Sequence, residues 1–190
     1  MLIYDNLYRL IGVHYTGIKP YKDKDQRYTY DPVGNRIQHD FELGNHQFSY
    51  NNLNQLTNLI INKGKGKKRY SYDLNGNLTN ESEYQGLNPL VEKRFFWDYD
   101  DRLTGIDIVH HQKLSTNQQD ASLSFDYDTE GNRVRKSVYY GSNLSRQRTY
   151  VGGKEEYAAG NQLENVYLGD IRITSNDQVQ YYHKDVLGST

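Results

Sequence analysis

Tyr30-Asp31-Pro32-Val33-Gly34-Asn35-Arg36-Ile37 returns as Tyr72-Asp73-Leu74-Asn75-Gly76-Asn77-Leu78-Thr79, and again as Tyr127-Asp128-Thr129-Glu130-Gly131-Asn132-Arg133-Val134. Asp at the first turn position, Pro or a tolerant residue next and Gly at the fourth is the composition of a type I turn followed by a left-handed residue. Such a turn closes a short hairpin with a bulge. A second version lacks the Gly-Asn pair: Tyr4-Asp5-Asn6-Leu7-Tyr8-Arg9-Leu10, Tyr50-Asn51-Asn52-Leu53-Asn54-Gln55-Leu56-Thr57 and Trp97-Asp98-Tyr99-Asp100-Asp101-Arg102-Leu103-Thr104. The two versions alternate along the chain. In the Gly-less copies the left-handed slot falls to Asn54 and Asp101, which tolerate it. In the first copy it falls to Tyr8, which predicts a distorted or frayed turn there.

Outward from each turn, aromatic or apolar residues sit two apart: Leu2 and Tyr4, Tyr28 and Tyr30, Phe48 and Tyr50, Tyr70 and Tyr72, Phe95 and Trp97, Phe125 and Tyr127. Period two puts each pair on one sheet face, so six hairpins are expected to stack a ladder of rings into a shared core. No hairpin is stable alone, and neighbours supply the missing core. The composition agrees. Nineteen Tyr and sixteen Gly in 190 residues suit rings with hydrogen-bonded tips and many tight turns. The mean hydropathy of −0.95 would suit disorder, but disordered chains are poor in aromatics. Pro32 falls in a turn, and Pro20 and Pro89 are assigned to connections. No convincing helix is present; Lys154 to Gly160 is short and Gly-bounded.

A net charge of −1 argues against nucleic acid as the main partner, because phosphate recognition shows as a basic excess. The chain has no Cys, so disulfides, thiolate nucleophiles and Cys-bound zinc are excluded. No window reaches the roughly 18 consecutive apolar residues of a membrane helix, and Met1 to Asp5 opens no signal peptide in this chain.

These residues resemble the YD repeats of bacterial RHS proteins, including the C components of insecticidal toxin complexes, and the related teneurin shells. The last stretch, Tyr150-Val151-Gly152-Gly153-Lys154-Glu155-Glu156-Tyr157 and Tyr181-Tyr182-His183-Lys184-Asp185-Val186-Leu187-Gly188-Ser189-Thr190, resembles the approach to the RHS core domain. The resemblance implies an all-β fold, antiparallel hairpins forming a curved ribbon or partial β-shell. Residues 1–149 would be the repeat array and 150–190 a core-approach segment continuing the same sheet. It implies a scaffold or encapsulation segment, secreted or at the cell surface, whose partners are the rest of an RHS shell or an enclosed toxin polypeptide. Relatives cleave themselves at an Asp-Pro-x-Gly motif; Asp31-Pro32-Val33-Gly34 matches those letters but lies inside a repeat, where the turn accounts for it. A carbohydrate- or protein-binding module is the alternative, since Tyr-rich sheets can stack on sugars. The open edges of a partial ribbon lead us to expect that the chain self-associates or requires a partner.

Chemistry-bearing clusters read as structure. Asp98, Asp100 and Asp101, or Asp126 and Asp128, lack a calcium-loop pattern and lie on repeat turns. His110 and His111 are adjacent, so on a strand they point apart; loop or strand surface is the expectation. His183 belongs to the terminal motif. Lys63-Gly64-Lys65-Gly66-Lys67-Lys68-Arg69 is expected to be a flexible hairpin tip between strands ending near Asn62 and starting near Tyr70. No nucleophile elbow or phosphate loop occurs. The sequence therefore assigns no enzyme activity, no catalytic or metal residues and no cofactor.

Overall fold

The computed structural model describes residues 1–15, 25–42, 44–112, 119–152, 155–158, 162–168 and 171–181. It is all-β, with seventeen antiparallel strands of one open sheet among the described residues. The chain divides into two units, Met1–Arg94 with His110–Ser115 and Phe95–Val109 with Thr116–Thr190.

The first unit contains β1 (Leu2–Tyr4), β2 (Leu10–Val13), β3 (Gln26–Tyr30), β4 (Arg36–Phe41), β5 (Gly44–Tyr50), β6 (Leu56–Ile61), β7 (Gly66–Tyr72), β8 (Leu78–Gln85) and β9 (Asn88–Trp97) as far as Arg94. From β1 to β8 each pairs antiparallel with the next. The ladder slips at Tyr4, Tyr30, Tyr50 and Tyr72, the bulge that a left-handed turn residue requires. Burial alternates as period two predicts. Tyr28, Tyr30, Phe48, Tyr50, Tyr70 and Tyr72 are half-buried, while Arg27, Thr29, Gln47, Ser49, Arg69 and Ser71 between them are exposed.

The second unit holds the end of β9, β10 (Leu103–His110) as far as Val109, β11 (Ala121–Tyr127), β12 (Arg133–Tyr140), β13 (Asn143–Val151), β14 (Glu155–Ala158), β15 (Gln162–Leu168), β16 (Ile171–Thr174) and β17 (Val179–Tyr181). From β10 onward each again pairs antiparallel with the next.

Three expectations are corrected. The rings are not fully buried in a core: among the described residues Phe125 is the one buried apolar side chain, at 8% exposure. The basic run is not a flexible tip, since Lys67, Lys68 and Arg69 lie in β7. The remaining connection is a 3₁₀ turn, Asn62–Gly64. It is latched to the neighbouring hairpin, where Asn62 Oδ1 accepts from the Asn45 N–H at 3.2 Å and Asn45 Oδ1 from the Lys63 N–H at 3.1 Å. Gly44 permits that approach, because a Cβ there would lie 1.6 Å from Asn62 Oδ1. Third, Pro89 sits inside β9 opposite Tyr84, beside a register shift, where a missing N–H is tolerated. Pro20 lies outside the described residues.

Candidate functional site

The repeated turn is built the same way each time. In the first copy the Asp5 N–H donates to Arg9 C=O and the Tyr8 N–H to Asp5 C=O, both at 3.0 Å. Asp5 Oδ1 accepts from the N–H groups of Leu7 and Arg9, each at 2.9 Å, and Oδ2 from Arg9 Nε at 2.7 Å. Asp31 repeats this with Val33 and Asn35, Asp73 with Asn75 and Asn77, Asp98 with Asp100 and Arg102, and Asp128 with Glu130 and Asn132. Asn51 substitutes for Asp, accepting from Leu53 and Gln55 and donating its amide to Gln55 Oε1. The side chain thereby satisfies the donors that a tight turn strands.

The fourth turn position is left-handed throughout: Tyr8 φ 58°, Gly34 101°, Asn54 60°, Gly76 94°, Asp101 57° and Gly131 83°. Tyr8 therefore corrects the expectation of a frayed first turn. The Asp5 bonds are the same as elsewhere, and its ring projects into solvent at 89% exposure. A seventh turn escaped the sequence reading. Thr174 takes the Asp place, its Oγ1 accepting from the Gln178 N–H at 3.2 Å, with Asp177 left-handed at 59°. The available signal was Ile171 and Ile173 two apart, followed by Asn-Asp.

These carboxylates are acceptors, and the turn favours their charged form. Asp5 and Asp98 fall below the usual carboxylate range chiefly through the N–H groups of Arg9 and Arg102, and Asp128 through the Asn132 amide. At Asp31 and Asp73 desolvation, the largest influence, pushes upward, yet the turn's donors together prevail and both are lowered.

Four of the turns are also tied to another hairpin by their tyrosine. The hydroxyl of Tyr30 donates to Leu10 C=O at 2.7 Å, Tyr50 to Arg36 at 3.0 Å, Tyr72 to Leu56 at 2.9 Å and Tyr127 to Leu103 at 2.8 Å. Every acceptor is the first residue of a strand leaving another repeat turn. Guanidinium groups cover some of the same rings, with Arg9 4.9 Å from the Tyr30 centroid and Arg102 5.4 Å from Tyr127. A hydroxyl donor is why Tyr and not Phe occupies these places. Half-buried Trp97 occupies the fifth anchor, and Tyr4 is exposed.

Elsewhere on the strands the two units differ. In the first, Tyr28 stacks on His39 at 4.6 Å, and His39, Phe41, His46 and Phe48 continue the row at 5.1–6.2 Å. His39 and His46 are direct cross-strand partners. Desolvation first, then Arg36 and His46, lower the His39 pKa against the opposing pull of Asp40. In the second unit Glu156, 2% exposed, accepts from Asn165 at 2.6 Å and Tyr167 at 2.8 Å and pairs with Arg148 at 2.6 Å. Arg148 also meets Glu164 at 3.0 Å. Desolvation raises the Glu156 pKa, but the Tyr167 and Asn165 bonds and the charges of Arg148 and Arg172 prevail and lower it.

Asp100 pairs with Arg102 and Asp126 with Arg135; His111 faces Glu92 at 3.5 Å. Among the described residues no three His, Asp or Glu side chains converge as a metal group, and no helix is long and apolar enough to cross a membrane. An open cleft of about 430 Å³ is lined by Asp40, Phe41, Glu42, Asn45, Asn62 and Lys65, among others. Of the terminal motif, Tyr181 ends β17 and is exposed; Tyr182, His183, Asp185, Leu187 and Gly188 lie outside the described residues.

No family model matches the chain, and no curated protein matches it. Among solved structures it is similar over 100% of its length to a Photorhabdus luminescens Tc holotoxin pore carrying a mutated TccC3, at 17% identity and a TM-score of 0.41. It is similar over 98% of its length to the TcdB2–TccC3 structure, at 16% identity and a TM-score of 0.42. The chain spans 13% and 14% of the length of those chains.

Proposed function

We propose that the chain is a length of wall, a non-catalytic hairpin scaffold of the RHS type that holds or encloses another polypeptide. Residues 150–190 would continue the array, and the assembly would work outside the cell. The carrying observation is the repeated turn with its tyrosine rung, which spends its polar groups on joining hairpins. The half-buried ring face, with Phe125 as the one buried apolar residue described, supports a surface that meets something further. Glu156 is engaged by two neutral donors and a guanidinium, which suits a structural acceptor better than a general acid.

One observation favours a binding module instead. The cleft beside Phe41 sets a ring next to carboxylates and amides, the groups that take sugar hydroxyls. Light scattering on the eluting chain across a concentration series, with glycan-array binding on the same fraction, separates the two. Concentration-dependent assembly without glycan retention supports the wall. A monodisperse monomer that retains a glycan supports the module and overturns the wall.

A further inference from the structure

Four side chains of β12 and β13 share one face of the second unit, because Lys136 is the cross-strand partner of Arg148 and Val138 that of Arg146. They line a small cavity of about 70 Å³. Three of the four are cations, and two of those stand directly opposite each other, an arrangement that destabilises a sheet. Arg148 is matched by Glu156 and Glu164, yet its Nε is buried and makes no hydrogen bond. Lys136 and Arg146 form no ion pair among the described residues. The flanking cations on this part of the sheet are Arg133, lying over the Phe125 and Tyr150 rings, and Arg172, which donates to Asn165 and Gln180. Glu156 and Glu164 are the facing acids, so positive charge is in surplus.

We propose that Lys136, Arg146 and Arg148 form a binding site for a tetrahedral oxyanion, phosphate or sulfate. The cavity is small, which suits a compact tetrahedral anion better than a sugar or a base. Guanidinium forks and an ammonium are the donors such oxygens take. The site is independent of the wall reading, and the failure of one leaves the other standing.

The test is calorimetric titration of the full chain with sodium phosphate and with sodium sulfate at constant ionic strength, with sodium acetate as comparator. Saturable phosphate and sulfate binding is expected, weakened about tenfold or more by Lys136→Gln or Arg146→Gln, since each removes a charged donor. Arg135→Gln, on the other face and paired with Asp126, should bind as the parent does. Urea midpoints in chloride alone give a second reading: Lys136→Gln should equal or exceed the parent, because a like-charge pair is gone. No saturable binding, equal weakening by Arg135→Gln, acetate binding as tightly as phosphate, or a lower midpoint for Lys136→Gln would each overturn the site.

Discussion

The two units use one turn and fill the sheet between turns in different ways. In the first, a row of rings and histidines runs from Tyr28 through His39, Phe41 and His46 to Phe48. In the second, strands β13 to β16 carry charge and amide groups centred on Glu156, which is almost wholly buried. The difference teaches that the repeat specifies its turn and its rung, while the rest of each strand is free to vary. Ring rows tolerate imperfect partners; a buried carboxylate does not.

The largest effect should follow from Glu156→Ala. It removes Arg148's closest carboxylate and the hydrogen bonds that Asn165 and Tyr167 donate to it, and should cost about 3 kcal/mol or more in urea unfolding. His39→Leu, by contrast, keeps an apolar body in the row and loses one hydrogen bond, to Gln26, and should cost under about 1.5 kcal/mol. Equal costs would erase the distinction between the units.

Backbone handedness comes next and should act alike in both. Gly34→Ala and Gly131→Ala, where an added Cβ would meet nothing within 4 Å, should each cost about 1–2 kcal/mol through the left-handed backbone alone. Tyr8→Gly should stabilise by about 0.5–1 kcal/mol, because the ring is exposed and its backbone is strained. Loss of stability there would show that Tyr8 makes a contact worth keeping.

The rung is smaller still. Tyr72→Phe in the first unit and Tyr127→Phe in the second should each cost about 1 kcal/mol, read from urea midpoints.

Titration offers a comparison with a worked sign. The turn carboxylates are lowered in the fold, so their contribution is full above the ordinary Asp value of about 3.9. It fades as the pH falls through the lower folded values. His39 is lowered too, so the fold binds its proton less readily than the unfolded chain, and stability declines as the pH falls below about 6.5. Hydrogen exchange should therefore show β3 to β5 loosening first on acidification, before either set of turns. Simultaneous loosening of both units near pH 6 would remove the His39 explanation.

The fold was legible because its signals are local. Asp31, Pro32 and Gly34 state a turn by their own conformational preferences, and Tyr28 and Tyr30 state a face by period two. The rung was not legible, because the acceptor of the Tyr50 hydroxyl is a backbone carbonyl, that of Arg36, and every residue has one. The Glu156 site was hidden for a related reason: Arg148, Asn165 and Tyr167 converge through pairing of β13 to β15, which a single sequence does not print. Tyr8 departs from its residue preference because five hydrogen bonds of the Asp5 turn hold it there. The basic run reads as a loop because of its glycines, whereas Lys67 to Arg69 pair with β6 and β8, which the local sequence does not print.

The central claim is that the tyrosine rung couples separate hairpins into one array. Hydrogen exchange on Tyr50→Phe tests it most directly. The account predicts faster exchange in the hairpin of Asp31 to Arg36, which supplies the acceptor, as well as around Tyr50 itself. A change confined to the Tyr50 turn, with the Asp31 turn as protected as before, would contradict it.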